Sequence, residues 1–553
     1  MILFEESGYN LSKSSTVFNQ ELKDSTLHHG LCGPIPVDSD LDCSSNDLLY
    51  PEVNVPVVGR RGFLGSWISA ILWTWEARGC IQKGYEKNKN FAFQVSTPNG
   101  WEVCICNDDM IKEYKNLMDD QMSALAVTSE TFQAKYTLPG AHWGAVHKLV
   151  PQPALAKSLM WLRNRAANDT DPYFSDFVKT FQRAFKAEIQ VEQDGPFEWQ
   201  SFPCFPRYSR VVAALTVKAL LGSLANRPEL IDLLCEYAEV VPLDGFFIAL
   251  FPAVLKPIVA LFCKAPRLSD RLVKVVTEEI ARRELENKHR IPQDMTDRIA
   301  QWVKDNPGYS IESAVVRVIA TFFGGIHTTT QLTVHALLEI AIRPEYVDPL
   351  RQEITTALKA HGGWTKSAIE SMTKLDSFIK EAQRFNPLDA ASLARQATRD
   401  FQFSNGLKLP RGTWVFAPNG PMLFDERLYP DSSQFDGLRF WKLAQQTKRP
   451  HEYRLVAASS TYLQFGDGRH TWYSPYRLVA ASNFNLSYTD SPGRFMAADE
   501  IRLIFAHTLF HFDIAIKNHG PRPRNTTFKK ICFPDMSAEI MLRPRKLHAS
   551  QGN

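Results

Sequence analysis

The stretch SIESAVVRVIATFFGGIHTTTQLTVHALLEIAI, Ser310–Ile342, decides how this chain folds. Apolar residues recur at three- and four-residue spacing along it, which predicts one long buried helix from about Ser310 to Ile342. Ser310 follows NPGY and can cap its start. The centre, FFGGIHTTT at Phe322–Thr330, is poor helix interior. Each glycine costs about 1 kcal/mol relative to alanine. Such a centre is either a packing accommodation or a deliberate distortion. Threonine hydroxyls can bond carbonyls one turn back, and paired glycines open space beside the helix.

Outward from this helix the pattern stays mainly helical from about Ser175 to Leu375. SDFVKTFQRAFKAEI, PELIDLLCEYAEVV and SDRLVKVVTEEIARREL all carry helical spacing. Strand-like segments are fewer: FAFQVSTP with GWEVCICN, and later FQFSNGLKLPRGTWVFAP. The fold class expected is mainly α with small β-sheets. A second helix, about Lys374 to Phe385, places Glu381 and Arg384 on one face at i, i+3. FDGLRFW then sets Arg439 among Phe435, Phe440 and Trp441, where a partly buried guanidinium needs an acceptor. Glu381, Arg384 and Arg439 are candidates for a buried triad. No dinucleotide fingerprint, phosphate loop or GxSxG elbow occurs.

The 553 residues are 44% apolar, enough for a large core, and 11% aromatic, which suits an apolar pocket. A net charge of +3 with scattered basic residues gives no reason to expect nucleic acid. Nine unevenly spread cysteines form neither a disulfide framework nor a zinc pattern, and none lies between Cys263 and Cys532. Residues 1–50 read as a polar, disordered extension ahead of one domain over 51–548. No apolar stretch reaches the roughly 20 residues needed to span a bilayer. Gly62–Trp75 and Phe246–Cys263 are shorter apolar runs; a buried core helix is the expectation for each, a membrane surface the alternative.

Taken in order, GGIHTT, ExxR at Glu381–Arg384, FDxxR ending at Arg439, FGDGRH at Phe465–His470 and PGR at Pro492–Arg494 resemble the cytochrome P-450 superfamily. LRQEI at Leu350–Ile354 and the turn NGLKLPRGT fit as well. The IHTT and PGRFMAADE forms look most like fungal members that oxidise terpenoids or related secondary metabolites. The resemblance implies the cytochrome P-450 fold and a haem-thiolate monooxygenase of iron and heme b, acting on a lipophilic small molecule with O2. Electrons then come from NADPH through NADPH-cytochrome P-450 reductase. Thr328 matches the threonine that helps deliver protons to bound oxygen, and His327 replaces the usual acidic residue, as proton shuttle or pocket wall. His470 and Arg395 match partners of the haem propionates, Arg395 alternatively being a solvated strand-end charge. Phe465, Gly468 and Gly493 frame the cofactor loop, and Phe322, Phe323, Ala391, Ser392 and Leu393 are pocket candidates by motif position. Members of this kind sit on the cytosolic face of the endoplasmic reticulum membrane, held by an N-terminal helix. This chain shows no such helix before Tyr50, so a peripheral or cytosolic protein is expected.

The family pattern also requires a cysteine directly after FGxGxHx and directly before PGR. Its thiolate pushes electron density onto the iron and favours O–O cleavage. Here FGDGRHT is followed by Trp472, and PGR is preceded by Ser491. An in-frame retained intron accounts for this: the first two bases of a Trp codon joined to the last base of an AGC serine codon give TGC, cysteine. A local duplication competes, because YRLVAAS stands at both Tyr453–Ser459 and Tyr476–Ser482. Either way 472–491 reads as an insertion into the haem-binding loop. The rival to an enzyme is a catalytically dead, haem-poor product of a defective or mis-spliced gene; a lipid-binding helical protein is a third reading.

Overall fold

The computed structural model describes residues 53–60, 62–138, 140, 152–167, 171–191, 197–286, 293–467 and 493–546. The 1–50 extension, Gly468, His470 and the whole of 472–491 lie outside the described residues.

In chain order the elements used below are β1 (Val57–Val58), α1 (Phe63–Asn88), β2 (Ala92–Thr97), β3 (Gly100–Ile105), β4 (Met122–Ser123), α2 (Pro172–Ile189), β5 (Gln200–Pro203), α3 (Cys204–Leu221), α4 (Pro228–Ala249), α5 (Ala265–Glu286), α6 (Ile311–Ala341), α7 (Val347–His361) and α8 (Thr373–Phe385). They continue with β6 (Ser392–Ala397), β7 (Phe401–Gln402), β8 (Lys408–Leu409), β9 (Trp414–Ala417), α9 (Gly493–His511), β10 (Phe512–Ile516), β11 (Thr526–Phe528), β12 (Ile531–Phe533) and β13 (Glu539–Pro544). One sheet has the order β1-β2-β3-β9-β6-β4, a second the order β10-β13-β5, and β7-β8 and β11-β12 are two-stranded. Mainly helical with small sheets is the class the sequence predicts.

Local chemistry sets the boundaries. Ser310 caps α6, its hydroxyl accepting from Ser313 N at 3.1 Å. Asp171 caps α2 through Tyr173 N at 2.8 Å, with Pro172 in the first turn. α7 ends at Gly362, whose φ of 70° suits a residue without Cβ. α6 crosses the middle of the helical body, packed against α3, α4, α5, α8 and α9. Among the described residues two large hydrophobic cores result, one of helices around α3, α6 and α9, one between α1 and the large sheet, with two small clusters beside them.

α6 is unbroken through FFGGIHTTT. Thr328 donates to Gly324 O at 2.8 Å, Thr330 to Ile326 O at 2.7 Å and Thr333 to Thr329 O at 2.8 Å. The hydroxyls thus bond one turn back within a helix that stays regular, so the segment is an accommodation.

The expected buried core helices at Gly62–Trp75 and Phe246–Cys263 need correction. In the first half of α1, Leu64, Trp67, Ile71 and Trp75 are exposed, Leu64 by 75%. Beyond α4, Leu250, Val254, Leu261 and Phe262 are exposed, Val254 by 80%. Their spacing is helical, but among the described residues no element covers that face. Among the described residues one helix, Cys204–Asn226, is long and apolar enough to cross a membrane, and 83% of its apolar window is buried inside the fold.

Glu381, Arg384 and Arg439 meet as the sequence predicts. Arg384 Nε and Nη2 donate to the two Glu381 oxygens at 2.8 Å each, and Arg439 Nε donates to Oε1 at 3.1 Å. Glu381 and Arg384 have no exposure. Glu381→Ala leaves two buried guanidinium groups without their carboxylate. The expected loss is about 3–5 kcal/mol, read as a fall in urea midpoint; an unchanged midpoint removes the triad from the stabilising set.

Candidate active site

The centre of α6 differs from its flanks. Phe323, Gly324, Gly325, His327 and Thr328 keep accessible surface within a helix buried along its C-terminal half. A Cβ placed on Gly324 would meet nothing within 4 Å. The glycine therefore opens a space beside the Thr328 hydroxyl. Phe322 is buried in the helical core, and Phe323 meets Phe132 edge-on at 4.9 Å. Of these two pocket candidates, Phe323 is the one that keeps accessible surface.

His327 lies against Phe205, ring centroids 6.1 Å apart and nearly parallel. Its Nε2 is buried without a hydrogen-bond partner among the described residues. Burial lowers its pKa to about 4, opposed by the Ala238 carbonyl that faces it. The imidazole is therefore neutral at physiological pH, not poised near its midpoint as the sequence reading of a shuttle assumes.

The other side of the site is built on β6. Ala391 is buried; Ser392 Oγ donates to Leu463 O at 2.7 Å, tying β6 to the start of the glycine loop. Leu393 has φ of 57°, unusual for a residue with a branched side chain, at a register shift between β6 and β9. The Tyr114 hydroxyl donates to its carbonyl at 2.9 Å. Arg395 is buried, so it is not a solvated strand-end charge. Its Nη1 donates to Tyr114 O at 2.8 Å and Nη2 to Lys115 O at 3.1 Å, while Nε is buried and has no partner among the described residues. Burial pushes this guanidinium below its usual range. A buried cation whose bonds go only to carbonyls leaves room for an anionic oxygen. Nearby, Lys115 pairs with Asp467 at 2.8 Å, two residues beyond the buried Phe465. Gly493 opens α9 on the far side of the undescribed part of the loop.

Behind the loop stands a polar network that motif reading misses. Asp376 accepts from Arg502 Nε at 2.5 Å and pairs with Arg454 Nε at 2.7 Å. Lys380 is buried between Phe440 and Tyr462, and its Nζ donates to Arg454 O at 2.8 Å and Ala457 O at 2.9 Å. Burial lowers the pKa of this ammonium to about 7. Arg454, Leu455 and Ala457 belong to the first copy of YRLVAAS, and Leu455 is fully buried. The repeat was the available signal. A second network joins α6 to the tail: Arg522 Nη2 meets His335 Nδ1 at 3.0 Å, and its Nε pairs with Glu339 at 2.8 Å. Asn386 donates to the same Glu339 at 2.7 Å. Arginine can only donate, so His335 Nδ1 accepts and the ring is neutral.

The description of the family Cytochrome P450 matches residues 174–471. The chain belongs to the cytochrome P450 family. Its relatives include the cytochrome P450 monooxygenase ptmQ of Penicillium ochrochloron, 90% identical over 501 residues, covering 91% of this chain and 94% of the relative. Monooxygenase penQ of Penicillium crustosum is 88% identical with the same coverage, and paxQ of Penicillium paxilli is 53% identical over 90% of this chain and 92% of the relative. The P450 chain is thus an enzyme of a haem-iron monooxygenase family, and its mainly helical architecture is the P450 fold. The family match ends at Thr471, the residue before Trp472.

Three imidazoles withdrawn from water, His327, His335 and His507, contribute to the acid sensitivity of this P450. Burial lowers His327 to about 4, and burial with Arg522 beside it lowers His335 to about 3, against 6.5 for the free group. Between these values the unfolded chain binds protons that the folded chain does not. Stability therefore falls as pH drops from 6.5 toward 4. In a pH series of urea unfolding, His335→Gln should flatten this limb by close to one proton, about 1.4 kcal/mol per pH unit. An unchanged slope places a hydrogen-bonded proton on the folded ring.

Proposed function

We propose that this P450 descends from a haem-thiolate monooxygenase that oxidises a lipophilic secondary metabolite of terpenoid type. The observation that carries the reading is the unpartnered Arg395 Nε on β6, together with the open face of Gly324 beside Thr328. A planar cofactor with carboxylate arms fits that pair of features. Arg395 would hold one carboxylate, and His470 the other by its place in the motif. When bound, haem supplies oxygen activation, with electrons from an NADPH-dependent P450 reductase. Thr328 holds a proton at Oγ1, bonded back to Gly324 O. Phe323, Ala391 and Leu393 offer an apolar wall that excludes water from a greasy substrate. The IHTT and PGRFMAADE forms and the fungal relatives support the substrate class.

The iron ligand is where the residues present and the cofactor part company. Cys532 lies buried on β12 opposite Thr527, and burial raises its thiol pKa. It is held in the C-terminal tail rather than on the glycine loop. We read 472–491 as an insertion that displaces the axial cysteine within one domain over 51–548, and a retained intron as its source. The end of the family match at Thr471 supports this. The 553-residue chain would then be haem-poor and inactive, and the shortened chain the enzyme. Expressed side by side, the form with 472–491 replaced by one cysteine should give a thiolate-type carbon monoxide difference spectrum. Full thiolate ligation in the 553-residue form would overturn the reading, as would a transcript that contains 472–491 and no cysteine codon.

The uncovered apolar residues support peripheral attachment to a membrane surface. Lys529 N donates to Thr74 O of α1 at 2.8 Å, and Phe528 meets Phe246 of α4 edge-on at 5.3 Å. The β11–β12 turn thereby joins both exposed runs into one flank, with Trp67 on one side and Leu250 on the other. Such a flank suits insertion into the headgroup region. Trp67→Glu combined with Leu250→Glu should cut flotation with phosphatidylcholine vesicles at least about ten-fold. Vesicle binding that survives both substitutions would place attachment elsewhere.

A further inference from the structure

α4 carries Pro242 in its interior. Proline has no N–H, so the carbonyl four residues earlier loses its helical donor. That carbonyl belongs to Ala238, a buried residue, and buried carbonyls are almost always paired. The group on α6 that faces it is the ring of His327, whose Nε2 is buried and has no hydrogen-bond partner among the described residues. We propose that His327 is a positioning residue: its ring N–H takes the place of the donor that Pro242 removes, and so latches α4 to α6 one residue before Thr328.

The surroundings keep the ring in place for this. Phe205 of α3 lies nearly parallel to it, 6.1 Å between centroids. Three residues beyond Pro242, Gly245 lets α4 press on the turn at Phe132; a Cβ there would lie 2.6 Å from the Phe132 carbonyl oxygen. The Phe132 ring meets Phe323 of α6 edge-on at 4.9 Å. Next to Ala238, the Tyr237 hydroxyl donates to Thr137 O at 3.0 Å. The middle of α4 is therefore fixed to the glycine–threonine segment of α6 directly through His327 and indirectly through Phe132. Its continuation carries the exposed Phe247 and Leu250. A motion of that apolar end reaches the segment around Thr328 through the His327 ring and through Phe132. The latch is a property of the fold and holds whether or not this chain carries out the proposed reaction.

Hydrogen–deuterium exchange of the full 553-residue chain tests it. His327→Ala should accelerate exchange of the α4 amides about five- to ten-fold, the effect of one lost hydrogen bond. His327→Asn, which keeps a donor, should restore most of the protection. Pro242→Ala returns an N–H to the Ala238 carbonyl, so in that background His327→Ala should change exchange by less than about two-fold. Equal acceleration in both backgrounds would overturn the latch, and so would an asparagine variant as loose as alanine. If His327→Ala yields no folded protein, recovery of folded yield by added Pro242→Ala supports the latch, and absence of recovery overturns it.

Discussion

The Glu381 carboxylate, fully buried and shared by two arginines, is the constraint on which the rest of this P450 depends. Its worth lies less in the ion pair than in what the arginines reach. Arg384 Nη1 donates to Leu423 O at 2.7 Å and Ser432 O at 2.8 Å. Arg439 donates to Pro430 O at 2.5 Å and to Asp431 O and Gln434 O at 3.0 Å. One carboxylate thus holds two guanidinium forks that gather the carbonyls of an irregular segment between β9 and the glycine loop. That segment has little regular secondary structure to satisfy its own backbone, so the forks supply what a ladder would. Asp376 and Lys380, on the same helix α8, extend the arrangement toward the loop.

Much of this was legible in the sequence. The helix through Phe322–Thr330 and the ExxR helix are where the periodicity places them, because both have long, regular apolar faces. The triad was legible because arginine among aromatics needs an acceptor, and Glu381 is the acidic group at hand. Leu64, Trp67 and Val254 were misjudged for a physical reason. Apolar spacing says that a face must leave water, not whether protein or lipid takes it. Lys380 was missed because a lysine in a helix reads as a solvated charge; only the packing of Phe440 and Tyr462 around it reveals otherwise.

His327 shows how far residue type carries and where it stops. Histidine before Thr328 suggests a titrating group, since its free pKa lies near neutrality. Burial against Phe205 removes that property and leaves a neutral ring with a donor to place. The Arg395 position runs the other way: its sequence setting allowed a surface charge, and burial makes it a cation in want of an anion. Environment, more than identity, assigns both.

The seat of the first YRLVAAS copy has a consequence of its own. Asp376, Lys380 and the cavity filled by Leu455 recognise an arginine, a leucine and two carbonyls, and Tyr476–Ser482 offers the same set. A docking slot cannot tell identical peptides apart by their side chains. Loop closure hardly helps, since lengthening the connection by the spacing of the two copies costs only a few tenths, about 0.3 kcal/mol. Discrimination therefore falls to the flanks: Tyr462, whose hydroxyl donates to Gln383 at 2.7 Å, and Leu463, whose carbonyl receives Ser392. The seating of the first copy is thus decided by its neighbours rather than by the sequence that sits in the slot.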